Sequence, residues 1–491
     1  MCLLLLHGLR REGSSDVPAK SKPHTALERK VRLVLDTLFK RGTVVTDMLS
    51  AEIDVGIAGG KIVALGDASY MGDAIRVIDA TGKFVLPGGI DTHTHFESPS
   101  FMGALPQTDF AQGTRAAAVG GTTTIIDFAY QQKSELPQQG LIRRRLQADG
   151  HVAIDYSLHM IMIDLSQRVL ESLPELIEEG VPSFKVYMVY RNEGLMADDA
   201  VLFELLKVSA KHGALVGAHA ESISLTEHNV AEAIARGHRA PIYHSLTKPS
   251  LVEEEAVNRA LFLARRADAP YFNFHTASGT ALELIEKERT HGRPVFAETC
   301  PHYLVLDDSC LERDDGCKFV CSPPLRKRTD IDILWNGITK GSIVAIGSDD
   351  ASYSYKDKMR FDSFHTIPNG LNGAEYLRPV LYSEGVTKGR MSIEQFVSVT
   401  SSLPAKIMGL YPKKGTIAPG SDADIVLWDP DMKIHVSHKT GPRDIDWTPY
   451  EGMTLTGAPA LTMLRGEVIA EHFKFVGKPN RGEFVKRVIT L

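Results

Sequence analysis

The stretch between about residue 84 and residue 410 alternates short apolar runs with amphipathic helical patterns. Eight of the apolar runs are strand candidates, at residues 84–90, 122–128, 154–163, 183–189, 214–220, 271–276, 295–299 and 343–347. Most of these runs are continuously apolar, which is typical of strands that are covered on both faces. Helical patterns such as residues 199–211 lie between them. Eight strand–helix units predict an α/β fold of the TIM (β/α)8 barrel type.

A doubly wound open sheet is the alternative architecture for a chain that alternates in this way. It would usually carry a glycine-rich nucleotide-binding turn after its first strand, and no such turn follows residue 90. The barrel is therefore the favoured fold.

The two ends of the chain carry a different pattern, in which short strands are separated by glycine-containing turns. We expect residues 31–83 and residues 412–491 to meet in one small β-sandwich, with the barrel at residues 84–411 inserted between them. Residues 1–30 are predicted to be a disordered extension. Their apolar run at residues 3–6 is shorter than the core of an export signal.

Composition excludes several classes of function. The chain of 491 residues has room for a barrel and a satellite domain, and its formal net charge of −6 argues against a nucleic-acid partner. No apolar run approaches the length of a membrane span. The five cysteines form no CxxC pair, so reduced thiols in a cytoplasmic protein are favoured over a zinc knuckle at residues 300–321.

Residue types that can bind a metal ion lie at the carboxyl ends of several predicted barrel strands. In a barrel, the carboxyl ends of all strands meet at one mouth, and residues i and i+2 of a strand point to the same face. Each residue alone could be a satisfied core side chain or a helix cap. Together they predict a metal site, because ionisable groups are rarely buried unpaired. The candidates are His93, His95, Lys185, His219, His275 and Asp349.

Lys185 decides between a site for one metal ion and a site for two. As an ammonium, with a reference pKa of about 10.4, it would repel cations. If CO₂ carboxylates its amine, the side chain becomes an anion with two oxygens, one for each of two metal ions. Two cations could then activate a water molecule between them.

Seven motifs of this chain resemble those of the dihydropyrimidinase and hydantoinase family, a group of cyclic amidohydrolases within the metal-dependent amidohydrolase superfamily. The motifs are PGGIDTHTH at 87–95, GGTT at 120–123, SFK at 183–185, ETCPHYL at 298–304, SPPLR at 322–326, IPNG at 367–370 and GSDAD at 420–424. The resemblance extends from about Thr37 to the C-terminus. It implies an enzyme that opens cyclic ureides, either 5-substituted hydantoins or dihydropyrimidines, to N-carbamoyl amino acids. It also implies assembly into a tetramer or dimer.

The resemblance further implies a role for each candidate residue. One metal ion would be held by His93, His95, Lys185 and Asp349, and the other by Lys185, His219 and His275. Zinc is the expected metal, manganese or cobalt could replace it, and CO₂ would carboxylate Lys185. Asp349 would also be the general base, and Tyr190 would stabilise the developing oxyanion. Backbone groups of Ser322 and Asn369 would hold the amide edge of the substrate ring.

Two positions help to separate this activity from those of related enzymes. Asp350 stands where the family commonly has histidine or asparagine, so a second carboxylate adjoins the predicted base. Glu97 stands where dihydroorotase-like relatives typically have an arginine for the substrate carboxylate, which argues against an anionic substrate. An allantoinase-like enzyme and a non-catalytic scaffold are two further candidate functions, although scaffold relatives lose metal ligands that this chain retains. We expect loops at residues 96–105 and 156–168 to shape the substrate pocket.

Overall fold

The computed structural model describes residues 34–100 and 103–491. The predicted disordered extension at residues 1–30, and Cys2 within it, lie outside the described residues. The described chain begins with a series of short strands: β1 (Leu35–Lys40), β2 (Thr43–Val45), β3 (Ser50–Glu52), β4 (Asp54–Ala58), β5 (Lys61–Gly66), β6 (Ala74–Asp79) and β7 (Phe84–Pro87).

Eight parallel strands then follow one another in chain order around a barrel. They are β8 (Gly89–Thr94), β9 (Thr122–Tyr130), β10 (Asp155–Ile161), β11 (Ser183–Tyr187), β12 (Leu215–His219), β13 (Tyr271–Asn273), β14 (Val295–Thr299) and β15 (Ile343–Ile346). Backbone hydrogen bonds from Asp349 N to His93 O (2.8 Å) and from His95 N to Asp350 O (2.9 Å) join the last strand end to the first. The barrel prediction is confirmed, and the open-sheet alternative is wrong.

The last strands are β16 (Ile425–His435), β17 (Thr454–Leu464), β18 (Glu467–Glu471) and β19 (Lys474–Phe475). They join β7, β2 and β3 in a seven-stranded sheet, while β5, β4, β1 and β6 form a four-stranded sheet. Buried side chains from both sheets, including Phe39, Ile57, Ile425 and Met463, form one core. The two ends of the chain therefore meet, as the turn-rich pattern predicted.

The first predicted barrel strand, at residues 84–90, is wrong in its bounds. Phe84–Pro87 pairs with β16 and β2 in the seven-stranded sheet, and the barrel strand is Gly89–Thr94. The chain passes from one sheet to the other at Gly88, where a Cβ atom would lie 2.0 Å from Thr123 Oγ1. A continuously apolar run suits either sheet, so the sequence pattern could not separate them.

Helices cover the barrel and fill its connections. They are α1 (Phe110–Val119), α2 (Pro137–Ala148), α3 (Gln167–Glu178), α4 (Asp199–His212), α5 (Ile223–Ala235), α6 (Ile242–Leu246), α7 (Ser250–Ala267), α8 (Gly279–Thr290), α9 (Pro301–Val305), α10 (Arg328–Lys340), α11 (Tyr355–Met359), α12 (Leu377–Leu381), α13 (Ile393–Val397) and α14 (Leu403–Ile407).

Local sequence sets the ends of several helices, as α4 illustrates. The Asp198 carboxylate accepts a hydrogen bond from Val201 N at its start, and Gly213 ends it with φ of 68°. The start of α4 is also where the connection from β11 ends. Strand-to-helix connections of this kind surround the mouth of the barrel.

Candidate active site

Four of the predicted ligands converge where β8, β11 and β15 end. His93 Nε2 lies 3.2 Å from His95 Nε2, 2.9 Å from Lys185 Nζ and 3.2 Å from Asp349 Oδ1. These contacts join residues that are far apart along the chain, and they follow from the parallel barrel. The structure thus brings together the four residues expected at one metal ion.

The remaining two predicted ligands lie beside this group. The rings of His219 and His275 have centroids 4.6 Å apart, and the His275 ring is 5.1 Å from that of His93. All the predicted ligands except His93, which is fully buried, line one cavity of about 670 Å³, measured with its open mouth. Both expected ligand sets therefore face the same space.

Three predicted site residues have left-handed backbone conformations that non-glycine residues seldom adopt. The φ angles are 67° at Tyr190, 37° at His275 and 49° at Asp349. Such conformations cost free energy and persist only where the surrounding structure imposes them, which is common at functional sites. Their side chains leave the strand ends in directions that a regular strand would not allow.

Buried carboxylates hold two of the imidazoles in place. Glu298 Oε1 lies 2.7 Å from His93 Nδ1 and accepts a hydrogen bond from His275 N (3.1 Å). Glu221 Oε2 lies 2.7 Å from His219 Nε2. Partners of this kind fix the tautomer and the orientation of a metal-binding histidine, so the opposite ring nitrogen is free to bind.

His95 is held in a similar way by Tyr130, whose hydroxyl lies 3.0 Å from His95 Nδ1. Sequence reasoning assigned no role to Tyr130, Glu221 or Glu298. Glu221 could have been suspected because it follows His219 by two residues and so shares its face. The chain pattern carried no comparable signal for Tyr130.

Burial sets the protonation state of the cluster. It lowers the pKa of His93, His95 and His275 well below the usual value, and it also lowers the pKa of His219. The four imidazoles are therefore neutral at pH 7, which is the form that binds metal ions. Burial raises the pKa of Asp349 to about 7.

Lys185 has an unusual environment for a lysine. Burial lowers its pKa to about 8, although the Asp349 and Glu298 carboxylates act in the opposite direction. Its ammonium lies over the rings of Phe128 and Phe274, 4.3 and 4.9 Å from their centroids. A lysine with a lowered pKa has a larger fraction of the neutral amine, and only this form reacts with CO₂.

The side chains fit a divalent metal ion. One ligand atom from each of His93, His95 and Asp349 lies within 4.8 Å of the others. His275 Nδ1 is buried and has no hydrogen-bond partner among the described residues, so a bound cation would satisfy it. Neutral imidazoles and carboxylates are the donors that zinc and related metals prefer.

The three predicted substrate contacts also lie together, at one wall of the cavity. Tyr190, Ser322 and Asn369 all line it. Burial raises the pKa of Tyr190, and hydrogen bonding with Ser322 and Asn369 only partly offsets that rise. The Tyr190 hydroxyl therefore stays protonated and can donate a hydrogen bond.

Among the residues that the structure describes, the rest of the cavity wall is uncharged. It contains Ser98, Pro99 and Ser100 from the first predicted specificity loop, together with Tyr130, Tyr187 and Tyr353. The second loop prediction is wrong, because Tyr156 lies inside β10 and no described residue of 156–168 lines the cavity. Among the described residues the cavity wall holds no arginine, and its one lysine is Lys185.

Two residues that the sequence singled out lie outside this cavity. Glu97 lines a neighbouring cavity with Arg143 and Arg144. Asp350 is fully buried and bonded to Arg443, with Nη2 to Oδ2 at 2.5 Å. The burial of Asp350 alone would raise its pKa, but Arg443 holds that pKa below the usual value. Asp350 is therefore an ionised carboxylate that is not directed at the substrate.

The cysteines between residues 300 and 321 form no metal cluster within the described chain. Cys300, Cys310, Cys317 and Cys321 are free thiols. Over residues 34–100 and 103–491, no helix has both the length and the hydropathy that crossing a bilayer requires.

Comparisons with known proteins agree with this geometry. The model of the "Amidohydrolase family" matches residues 84–469. The D-hydantoinase of Geobacillus stearothermophilus is 42% identical over 455 residues, which cover 92% of this chain and 96% of that protein. The D-hydantoinase of Ralstonia pickettii is 42% identical over 458 residues, covering 92% of this chain and 99% of that protein.

A solved structure extends the likeness to three dimensions. The crystal structure of dihydropyrimidinase from Brevibacillus agri NCHU1002 matches with a TM-score of 0.90 and 41% identity, over 93% of this chain and 99% of that one. Sequence, fold and the convergence of ligand side chains thus agree, and the chain belongs to the hydantoinase and dihydropyrimidinase family of amidohydrolases.

Proposed function

We propose that this enzyme hydrolyses the ring amide bond of neutral five- or six-membered cyclic ureides, such as 5-substituted hydantoins and dihydropyrimidines, to N-carbamoyl amino acids. The observation that carries the proposal is the cavity at the barrel mouth, where the predicted ligands adjoin an uncharged wall. Two metal ions, with zinc as the expected element, would be held by His93, His95, Lys185 and Asp349 and by Lys185, His219 and His275. Bound divalent cations supply Lewis acidity, which activates water and polarises the scissile carbonyl.

The chain's own groups perform the proton transfers. Asp349 accepts a proton from the attacking water as the new C–O bond forms. It returns this proton to the ring nitrogen as the C–N bond breaks, which gives a carboxylic acid and a carbamoyl group. The acid then releases its remaining proton to solvent and becomes a carboxylate.

Tyr190 and its neighbours bind the substrate. The Tyr190 hydroxyl donates a hydrogen bond to the carbonyl oxygen as negative charge develops on it. Backbone groups of Ser322 and Asn369 hold the amide edge of the ring, and that edge is common to hydantoins and dihydropyrimidines. The hydrogen bonding of Tyr190 with both residues supports this arrangement, because it places the three groups on one wall.

Lys185 would act as a carboxylated lysine. Its neutral amine attacks CO₂, one N–C bond forms, and one proton leaves, which produces a carbamate anion. The lowered pKa of Lys185 supports this step, because it increases the population of the neutral amine. The carbamate would add a negative charge to the six predicted ligands, of which only Asp349 is a carboxylate.

The absence of a cation in the described cavity wall, apart from Lys185, argues against dihydroorotate as the substrate. A carboxylate there would lose its hydration without gaining a partner.

A substrate screen combined with metal analysis tests the proposal. We expect about two metal ions per chain and faster turnover of neutral cyclic ureides, such as hydantoin, 5-phenylhydantoin or dihydrouracil, than of dihydroorotate. An Asp349→Asn preparation serves as the control for contaminating host enzyme. Faster turnover of the anionic dihydroorotate than of the neutral ureides would overturn the assignment of substrate class.

A further inference from the structure

Arg443 lies outside the cavity, yet it is the centre of a buried ion cluster next to the predicted base. Its side chain is 1% exposed, and its guanidinium contacts two buried carboxylates. It donates to Asp350 from Nη2 (2.5 Å) and Nη1 (3.2 Å), and its Nη2 lies 2.7 Å from Glu375 Oε2. The guanidinium thus bridges a strand end and a separate loop.

Asp350 is tied to three segments that carry the proposed site. Its backbone carbonyl accepts a hydrogen bond from His95 N (2.9 Å). Its carboxylate accepts hydrogen bonds from Gly373 N (2.8 Å) and Ala374 N (2.9 Å). The loop that contains those two amides begins at Asn369. Asp350 therefore adjoins Asp349 directly, links to the end of β8 through its backbone carbonyl and links to the substrate loop through its carboxylate.

Arg443 is needed for this arrangement because two buried carboxylates, those of Asp350 and Glu375, both contact its guanidinium. Both Asp350 and Glu375 are fully buried, so without a nearby cation each negative charge would lie in the protein interior with no countercharge. A guanidinium can bind two carboxylates at once, whereas an ammonium offers a single charged centre. Arg443 comes from the segment after β16, so the C-terminal part of the chain supplies it.

We infer that Arg443 is a positioning residue for the hydrolysis proposed above, and that inference rests on the proposed function. By holding Asp350 and Glu375 together, Arg443 fixes the strand end that carries Asp349 and the loop that carries Asn369. Asp350 is thereby held by an arginine that lies 93 positions later in the chain.

Removal of the guanidinium is the first test. In metal-loaded Arg443→Met enzyme, kcat for hydantoin falls because Asp349 shifts, and KM rises because Asn369 shifts. We expect kcat/KM to fall about 30-fold or more, with unchanged metal content. Arg443→Lys should lie between this variant and the wild type, because one charged centre cannot hold both carboxylates.

Lys414→Met is the matched control, since Lys414 is also a buried cation held by carboxylates, those of Asp155, Asp422 and Asp424. It lies away from the cavity, near the amino end of β10. We expect it to lower Tm and leave kcat and KM within twofold of wild type. Equal kinetic losses in Arg443→Met and Lys414→Met would overturn the positioning role.

A neutral triple variant separates positioning from simple charge balance. Asp350→Asn, Glu375→Gln and Arg443→Met together remove all three charges, so Tm should recover relative to Arg443→Met alone. We expect kcat/KM to remain low, since no guanidinium then joins positions 350 and 375. Recovery of both Tm and kcat/KM would show that Arg443 only balances charge.

Amide hydrogen exchange provides a readout that does not depend on turnover. Arg443→Met should lose protection at Gly373 and Ala374, whereas Lys414→Met should not. Unchanged protection there would overturn the inference. If the wild type opens no cyclic ureide, the proposed function fails, and the exchange result still decides whether Arg443 orders this loop.

Discussion

Asp349 and Asp350 are adjacent carboxylates with opposite environments. Asp349 faces the cavity, and burial raises its pKa to about 7, while Asp350 is held ionised by Arg443. We expect Asp349→Asn to lower kcat at least 1000-fold, because an amide cannot accept the proton. Asp350→Asn should keep kcat within about tenfold, because an asparagine oxygen still accepts hydrogen bonds from the loop amides. Steady-state kinetics with matched metal content measures both, and equal losses would mean that the base is wrongly assigned.

Lys185 allows a pH-dependent test of carboxylation. Its pKa of about 8 lies below the ordinary value, so the neutral amine fraction rises as pH increases through 8. Reactivation of apo-enzyme with zinc, at constant dissolved CO₂, should therefore speed up between pH 6.5 and 8.5 and level off above that range. The rate of activity recovery measures this. Reactivation that is equally fast without CO₂ and bicarbonate would contradict the carbamate.

Substitution of Lys185 provides the complementary test. Lys185→Arg should lose turnover and metal, because a guanidinium stays protonated and cannot carry the carboxyl group. Metal analysis and steady-state kinetics check this result. If the variant keeps two bound metal ions and near-normal kcat, a bridging carbamate is wrong.

Glu298 connects the ends of three strands. It lies on β14, contacts His93 Nδ1 at the end of β8 and accepts from His275 N just after β13. We expect Glu298→Gln to weaken metal binding by roughly 10–100-fold, because it loosens the orientation of a ligand histidine. Metal-binding titration of the apo-protein measures the change.

Glu253→Gln is the control for that experiment. Glu253 is another fully buried carboxylate, which accepts from Ala277 N (2.9 Å) and Ser278 N (3.1 Å) and contacts no predicted ligand. It should change stability and leave metal affinity within a few-fold. Equal losses of metal affinity in both variants would show that Glu298 acts through general stability.

The Lys414 cluster joins the barrel to the sheets formed by the chain ends. Lys414 Nζ lies 2.6 Å from Asp155 at the start of β10 and 2.7 Å from Asp424 just before β16. Burial alone would lower the pKa of Lys414, but the carboxylates raise it above the usual value. The ion pairs of Lys414 therefore stabilise the folded chain fully at neutral pH and up to about pH 10. This stabilisation is lost at higher pH as the ammonium deprotonates.

We expect Lys414→Met to lower the free energy of unfolding by about 3–5 kcal/mol. Asp424 loses its salt-bridge partner, and Asp155 and Asp422 keep only Arg465 and Lys61, respectively. Urea unfolding at pH 7 measures the loss. A change below about 1 kcal/mol would mean that the cluster contributes little to the joining of the two parts. Assembly into a tetramer or dimer stays a prediction from the family resemblance, and light scattering would check it.

The sequence by itself determined the barrel and the positions of the candidate ligands. Both depend on local pattern. Apolar runs of strand length recur with helices between them, and candidate ligands such as His219 lie at the carboxyl ends of these runs. Only the tertiary structure decided that residues 84–87 join the outer sheet, that Glu298 braces His93 from 205 positions away and that Arg443 holds Asp350. Those contacts join segments that the chain pattern does not relate, because packing of the barrel against both chain ends brings them together.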